Sequence, residues 1–152
     1  MSCDNTGLPS GRYADTCDLY NVFGQQNVNA WSDADANLNG SPNTDRIQAS
    51  FNYADSLIQS YFAQYGNFVV PLNPIGVSIP LVARWSAVIT GAYLYRSRGI
   101  RDEGDLTGDH LSRMEKDVWD EIRRFSSLRL IQATNRWPTS GGPTVSMPFR
   151  AY

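Results

Sequence analysis

The sequence predicts a mainly helical protein, a small bundle of three long helices with short N-terminal helices before it and an extended C-terminal arm after it. Three stretches between residues 45 and 126 repeat apolar side chains at steps of three and four residues, the period of an amphipathic helix. Beyond residue 126 that period stops, and proline and glycine become frequent. The 152 residues suffice for one sizeable core. We therefore divide the chain into an irregular lead-in (1–12), a helical core (13–126) and the C-terminal arm (127–152).

Two short helices are expected at the start of the core. The first covers about residues 15–23, with Asp15 or Thr16 as its N-cap, because both side chains can accept a hydrogen bond from a free N–H of the first turn. A glycine then separates it from a second short turn at Gln25–Trp31. The stretch Ser32–Asn43 is predicted to be a loop, since it contains Asn-Gly and Ser-Pro pairs.

The first long helix is predicted at Asp45–Tyr65, with Thr44 as its cap and a glycine directly after it. Its apolar side chains recur on one face, which we expect to lie in the core. That predicted stripe consists of Ile47, Phe51, Ala54, Ile58, Tyr61, Phe62 and Tyr65.

The second long helix is predicted from Ser78, as its cap, to about Gly99. Pro80 falls in the first turn, where a missing N–H does no harm. The preceding segment holds two prolines and is expected to cross between helices in extended form. This helix is apolar on more than one face, which predicts that it lies at the centre of the bundle. Gly91 stands in its middle and indicates close packing of another helix.

The third long helix is predicted at Asp109–Ser126, with charged side chains opposite one apolar stripe. Three such helices can close a single core. The stripe consists of Leu111, Met114, Val118, Ile122 and Phe125.

The C-terminal arm begins with an alternating segment, 127–132, which favours a short strand or an extended conformation. The segment Trp137–Tyr152 contains three prolines, two glycines and no helical period. A segment of this composition gains order by docking, and large side chains are its natural anchors. We predict that the arm docks on a partner or on a neighbouring subunit through Leu128, Leu130, Arg136, Trp137, Met147, Phe149 and Tyr152.

The charges are unevenly distributed, although the net charge is only -2. Acidic residues dominate the N-terminal part, and no acid follows Glu121. An acidic body and a basic arm could attract each other between neighbouring subunits, or the two surfaces could simply be solvated. A small nucleic-acid-binding factor is a second alternative, and it would use Arg123, Arg124, Arg129 and Arg136.

Few residues suggest catalysis or metal binding. His110, the only histidine, stands near the start of a helix without a second histidine or cysteine at ligand spacing. The loop with Asp102, Glu103, Asp105 and Asp109 is rich in carboxylates but lacks the spacing of a calcium-binding loop. We therefore expect no enzyme activity, no metal site and no cofactor.

Cys3 and Cys17 lack the close pairing of a zinc or redox motif, and they carry little information about a site. No secretory leader is recognisable, and no apolar run approaches the length that spans a bilayer. We expect a soluble protein, made and used in a cytoplasm.

The order of these features resembles the phage Gp36-like head–tail connector proteins, small neck adaptors of tailed bacteriophages. The resemblance covers about residues 13–126, whereas the loop 32–43 and the sequence after Ile131 are individual to this chain. The motifs that carry it are Tyr13-Ala14-Asp15-Thr16-Cys17-Asp18-Leu19 with Phe23-Gly24, Ile47–Tyr65, Val70-Pro71-Leu72 with Ile79-Pro80-Leu81-Val82, Ala87–Tyr95 with Arg96, and Asp109–Arg124.

This resemblance implies a virion structural protein without catalytic function. Members of the family form a ring, typically a dodecamer, below the portal, where they extend the channel through which the genomic DNA passes. The implied partners are the portal protein, a lower neck, stopper or tail-terminator protein, and further copies of the chain, with no membrane. The implied location is the neck of the particle, assembled in the cytoplasm of the bacterial host. A tail-completion or stopper protein is the alternative within the same structural class.

Overall fold

A computed structural model of the protein describes residues 3–4, 6–33, 41–65, 78–98 and 105–128. Within these residues the secondary structure is helical, and an isolated bridge between Ser10 and Asp15 is the only β-type pairing. None of the described helices combines the length and hydropathy needed to cross a membrane. The predicted mainly helical fold is confirmed. The helices are α1 (Thr16–Phe23), α2 (Gln25–Ser32), α3 (Thr44–Tyr65), α4 (Ser78–Arg96) and α5 (Leu106–Leu128).

Asp15, Asn43 and Asp105 each cap the first turn of a helix with a side-chain oxygen, whereas α2 begins after Gly24 without a side-chain cap. Ser78, the predicted cap of α4, is already its first helical residue. Asp15 caps α1 in a reciprocal capping box with Asp18. Asn43 caps α3, because its Oδ1 accepts the N–H of Arg46 at 3.1 Å, whereas the predicted cap Thr44 is already the first helical residue.

The third long helix also begins earlier than predicted, at Leu106 instead of Asp109. Asp105 supplies the cap, since its Oδ1 accepts the N–H of Gly108 at 3.0 Å. At the other end α5 continues to Leu128, so the first two residues of the segment predicted to be extended, Ser127 and Leu128, are helical. The rest of the C-terminal arm, 129–152, lies outside the described residues.

Helix α4 lies at the centre of the bundle, as its apolar sequence predicts. It contacts α3, α5, α1 and α2, and ten consecutive residues from Trp85 to Leu94 include only one that is not buried. Both α3 and α5 run antiparallel to α4, because Arg46 near the start of α3 bonds to Ser97 and Tyr95 bonds to Asp105 before α5. The two flanking helices are therefore parallel to each other.

Gly91 in the middle of α4 is the point at which α1 crosses the bundle. A Cβ at this position would overlap the ring of Phe23, the last residue of α1. The same ring packs edge-on against Trp31 of α2, with the ring centroids 5.3 Å apart. The predicted role of Gly91 in close helix packing is confirmed, and it fixes α1 and α2 on one side of α4.

We expect Gly91→Ala to lower the free energy of unfolding by about 1–2 kcal/mol, because forced overpacking outweighs the gain in helix propensity. Chemical denaturation measures this change. In the background Phe23→Ala, the same substitution should be neutral or stabilising, because the clash is gone. A loss of equal size in both backgrounds would show that the ring of Phe23 is not the cause.

The lead-in is tied to the bundle by a disulfide and by hydrogen bonds. Cys3 and Cys17 form a disulfide that joins the lead-in to the first turn of α1, which their sequence spacing did not predict. Gln48 Nε2 donates to the carbonyl oxygen of Ser10 at 3.0 Å. Asp55 of α3 accepts the N–H of Arg12 at 2.6 Å through Oδ2 and the hydroxyl of Ser86 at 3.2 Å through Oδ1. A buried carboxylate therefore connects the lead-in, α3 and α4.

Candidate interaction surface

A row of partly exposed aromatic and apolar side chains runs along α3 and meets rings from α4 and α5. Tyr53, Leu57 and Tyr61 stand at four-residue steps on α3 and therefore share one face of that helix. Tyr93 of α4 and Trp119 of α5 complete the row. Tyr53 is 40% exposed, and the other four are half-buried. We call these five residues the aromatic seam.

Ring contacts join the seam's aromatic side chains in two pairs, one between α3 and α4 and one between α3 and α5. Tyr53 stacks on Tyr93 with centroids 4.1 Å apart and planes at 23°. Further along α3, the rings of Tyr61 and Trp119 lie 5.9 Å apart and are tilted by 55°. Tyr93 comes two residues after Gly91, so the two residues point about 200° apart around the axis of α4. The seam and the α1–α2 pair therefore lie on opposite sides of α4.

One charged pair borders the seam on the α4–α5 side. Arg96 forms two hydrogen bonds to Glu115, at 2.6 Å and 3.0 Å. This bonding raises the pKa of Arg96 above its usual value, and the nearby Tyr53 contributes in the same direction. A second charged pair lies on the other side of α4: Arg84, seven residues before Gly91 and therefore on the Gly91 face, contacts Glu121 at 3.1 Å. Glu121 also accepts the indole N–H of Trp85 at 2.9 Å. At the seam's border the charges of Arg96 and Glu115 neutralise each other, so the seam itself presents apolar rings and phenol groups.

A second polar cluster joins the end of α4 to the start of α5. The hydroxyl of Tyr95 donates to the carboxylate of Asp105 at 2.6 Å, and this bond is the main reason why the pKa of Asp105 is lowered. Burial is the main cause of the raised pKa of Tyr95. Arg98 lies over the Tyr95 ring, 3.8 Å from its centroid. Asp105 therefore has a structural function, as helix cap and as acceptor for Tyr95.

The other predicted site residues are placed as follows. His110 is exposed in the second turn of α5. Asp102 and Glu103 of the carboxylate loop lie outside the described residues. Within the part of the chain that the structure describes, no group of three or more histidine, cysteine, aspartate or glutamate side chains could hold a metal ion.

The predicted docking residues cannot be placed. Leu128 is the last residue of α5, and only its backbone is described. The remaining predicted docking residues, Leu130, Arg136, Trp137, Met147, Phe149 and Tyr152, lie outside the described residues. Their function as a docking set stays a prediction.

The predicted basic surface for nucleic acid is mixed in charge where the structure describes it. Helix α5 carries five acidic and four basic side chains. Arg123 pairs with Asp120 at 2.8 Å. Arg129 and Arg136 lie outside the described residues. A phosphate backbone would therefore meet carboxylates as well as arginines on this helix.

Sequence reasoning missed three members of the seam, Tyr53, Leu57 and Trp119. Tyr53 lies outside the predicted core stripe of α3, and Trp119 follows the core residue Val118 on a helix whose outer face is charged. The available signal was the second apolar row on α3, in which Tyr53, Leu57 and Tyr61 repeat every four residues.

Comparison with known proteins identifies the family of the chain. The chain matches the family described as "Bacteriophage Mu, Gp36" over residues 13–123, which include α1 to α4 and most of α5. No curated protein and no solved structure matches it. The matched region is well over half of the sequence and contains both the core and the aromatic seam. The chain belongs to the bacteriophage Mu Gp36 family and is a bacteriophage protein.

Proposed function

We propose that the chain is a structural subunit of the virion, a head–tail connector adaptor that forms a ring between the portal and the lower neck or tail proteins. The family match over residues 13–123 is the observation that carries this proposal. In the proposed ring, further copies of the chain are neighbours, and the genomic DNA passes through the central channel without being held. The proposal assigns no catalytic step and no cofactor to the chain.

The packing of the bundle supports a structural function. Its central helix is surrounded by other elements, and its largest buried side chains include Trp85, Phe51 and Phe62. Asp55, the buried carboxylate, accepts bonds from a backbone N–H and a hydroxyl of the same chain. These features give a well-packed subunit with aromatic side chains at its surface, which suits assembly because tyrosine and tryptophan are enriched at interfaces.

The mixed charge of α5 supports a channel protein that does not hold DNA. Each phosphate that a protein neutralises adds salt-dependent affinity, and strong affinity would impede passage. Arg123 is paired with Asp120 on the surface of α5. We therefore favour the connector over a nucleic-acid-binding packaging factor, which should instead retard DNA in a gel at low salt and release it as salt rises.

We expect deletion of Trp137–Tyr152 to abolish binding to the portal protein of the same phage while the helical circular dichroism stays unchanged. The physical reason is that the arm holds the large anchors, and truncating such anchors removes most of the binding free energy of an interface. Sedimentation of the purified chain with assembled portal measures the binding.

A chain in which the order of residues 137–152 is scrambled is the matched control, since it keeps length and composition. It should also fail to bind. If the truncated chain still binds portal, the arm is not the docking element. If the full chain binds only a lower neck or tail protein, the alternative of a stopper or tail-completion protein applies.

A further inference from the structure

We propose that the aromatic seam is a binding site for the chain's own C-terminal arm, which lies along it with the proline-containing segment between Trp137 and Phe149. The contact lies within one chain, so this inference does not depend on the proposed function. It describes the free subunit, since arm residues held on the seam cannot contact the portal at the same time.

The surface chemistry of the seam fits a proline-rich segment. Proline-rich peptides bind grooves lined by aromatic side chains, because the rigid ring packs on an aromatic face and little conformational entropy is lost. Tyr53, Tyr93, Tyr61 and Trp119 supply four such rings from three helices. The paired charges of Arg96 and Glu115 at the border leave no net charge for the segment to match.

The sequence of the arm supplies the complementary groups. The segment Trp137–Phe149 contains Pro138, Pro143 and Pro148 together with two large aromatic residues. It carries no acidic or basic side chain. A neutral, proline-rich and aromatic segment matches a surface of phenol and indole rings better than it matches the charged outer face of α5.

The connection between α5 and this segment is long enough for the arm to turn back. Eight residues, 129–136, separate Leu128 from Trp137, and they can span at most about 28 Å. Trp119 stands nine residues before Leu128 on α5, about 14 Å back along the helix axis. The seam continues from Tyr61 to Tyr53 for about 12 Å, which about four residues of a polyproline II helix would cover.

Limited trypsin digestion of the full chain, followed by mass spectrometry, tests this proposal through cleavage after Arg136. An arm that is bound on the seam is cleaved only when it opens. We expect Tyr53→Ser and Tyr61→Ser to raise the cleavage rate at least about tenfold, the factor that corresponds to about 1.4 kcal/mol. Leu106→Ser is the matched control, because Leu106 is 82% exposed at the start of α5, away from the seam.

A second variant, Pro143→Ala with Pro148→Ala, tests the segment without changing the bundle, and it should raise the cleavage rate as well. Equal cleavage rates in the wild type, the seam variants and the proline variant would overturn the proposal. Protection that increases with protein concentration would overturn it too, because the occupant of the seam would then be the arm of a second copy. Circular dichroism shows that each variant keeps its helices.

Discussion

Replacing Trp85 with alanine should lower the free energy of unfolding by about 3–5 kcal/mol, the usual cost of removing a large aromatic side chain from a core. Trp85 is fully buried in α4. Its ring lies 6.3 Å from that of Phe62 on α3 and 5.8 Å from that of Phe125 on α5. One side chain thus joins the three long helices, and chemical denaturation of the purified variant measures its contribution.

Trp119→Ala is the control for this substitution, because it removes the same side chain from a half-buried position on α5. Trp119→Ala should lower the free energy of unfolding by clearly less than Trp85→Ala does, since the side chain of Trp119 buries less apolar area. Equal costs would contradict the placement of Trp85 at the centre of the bundle.

Replacing Asp55 with alanine should lower the free energy of unfolding by about 3 kcal/mol, because buried donors that lose their acceptor pay a desolvation penalty. The donors are the backbone N–H groups of Arg12 and Tyr13 and the hydroxyl of Ser86. Asp55→Asn should cost much less, since an amide oxygen can accept from Arg12 while the amide N–H₂ donates to the oxygen of Ser86. Urea denaturation of both variants measures the difference.

The wild type and Asp55→Asn should also differ in how their free energy of unfolding depends on pH. Burial is the main cause that raises the pKa of Asp55, against the opposing effect of its hydrogen bonds. Between the unfolded and the raised folded pKa, the native state binds more protons than the unfolded state. The stability that Asp55 contributes is therefore complete below its unfolded pKa and declines as the pH rises through its folded pKa.

Asp55→Asn removes this titration, so the variant should gain stability relative to the wild type as the pH rises through that window. Asp105, whose pKa is shifted downward, is present in both proteins and cancels in the comparison. If the difference in the free energy of unfolding between the two proteins stays constant between the unfolded and folded pKa of Asp55, or changes with the opposite sign, the pKa of Asp55 is not raised.

The periodic parts of the fold were predictable from the sequence, and the helix starts were less so. Apolar residues at three- and four-residue steps identify α3, α4 and α5, because burial of one face is a local property of the sequence. At the start of α3, Asn43 and Thr44 are adjacent and both can cap. At the start of α5, Asp105 and Asp109 present the same choice. Periodicity cannot decide between neighbouring caps, since the first turn needs no buried side chain.

Contacts between distant segments explain the other differences. The disulfide depends on the lead-in folding back over α1, and Asp55 holds that segment from a position more than forty residues later. The aromatic seam depends on how α3 and α5 pack beside α4, which leaves Tyr61, predicted in the core, half-buried. Neither the return of the lead-in over α1 nor the packing of these helices can be read from residues that are neighbours in the sequence.

Cryo-electron microscopy of the neck of the phage that encodes the chain is the most direct test of a connector function. We expect a ring of copies directly below the portal, in which α3, α4 and α5 of each copy can be traced around the DNA channel. A particle in which another protein occupies this position, or from which the chain is absent, would show that the chain is not a connector adaptor.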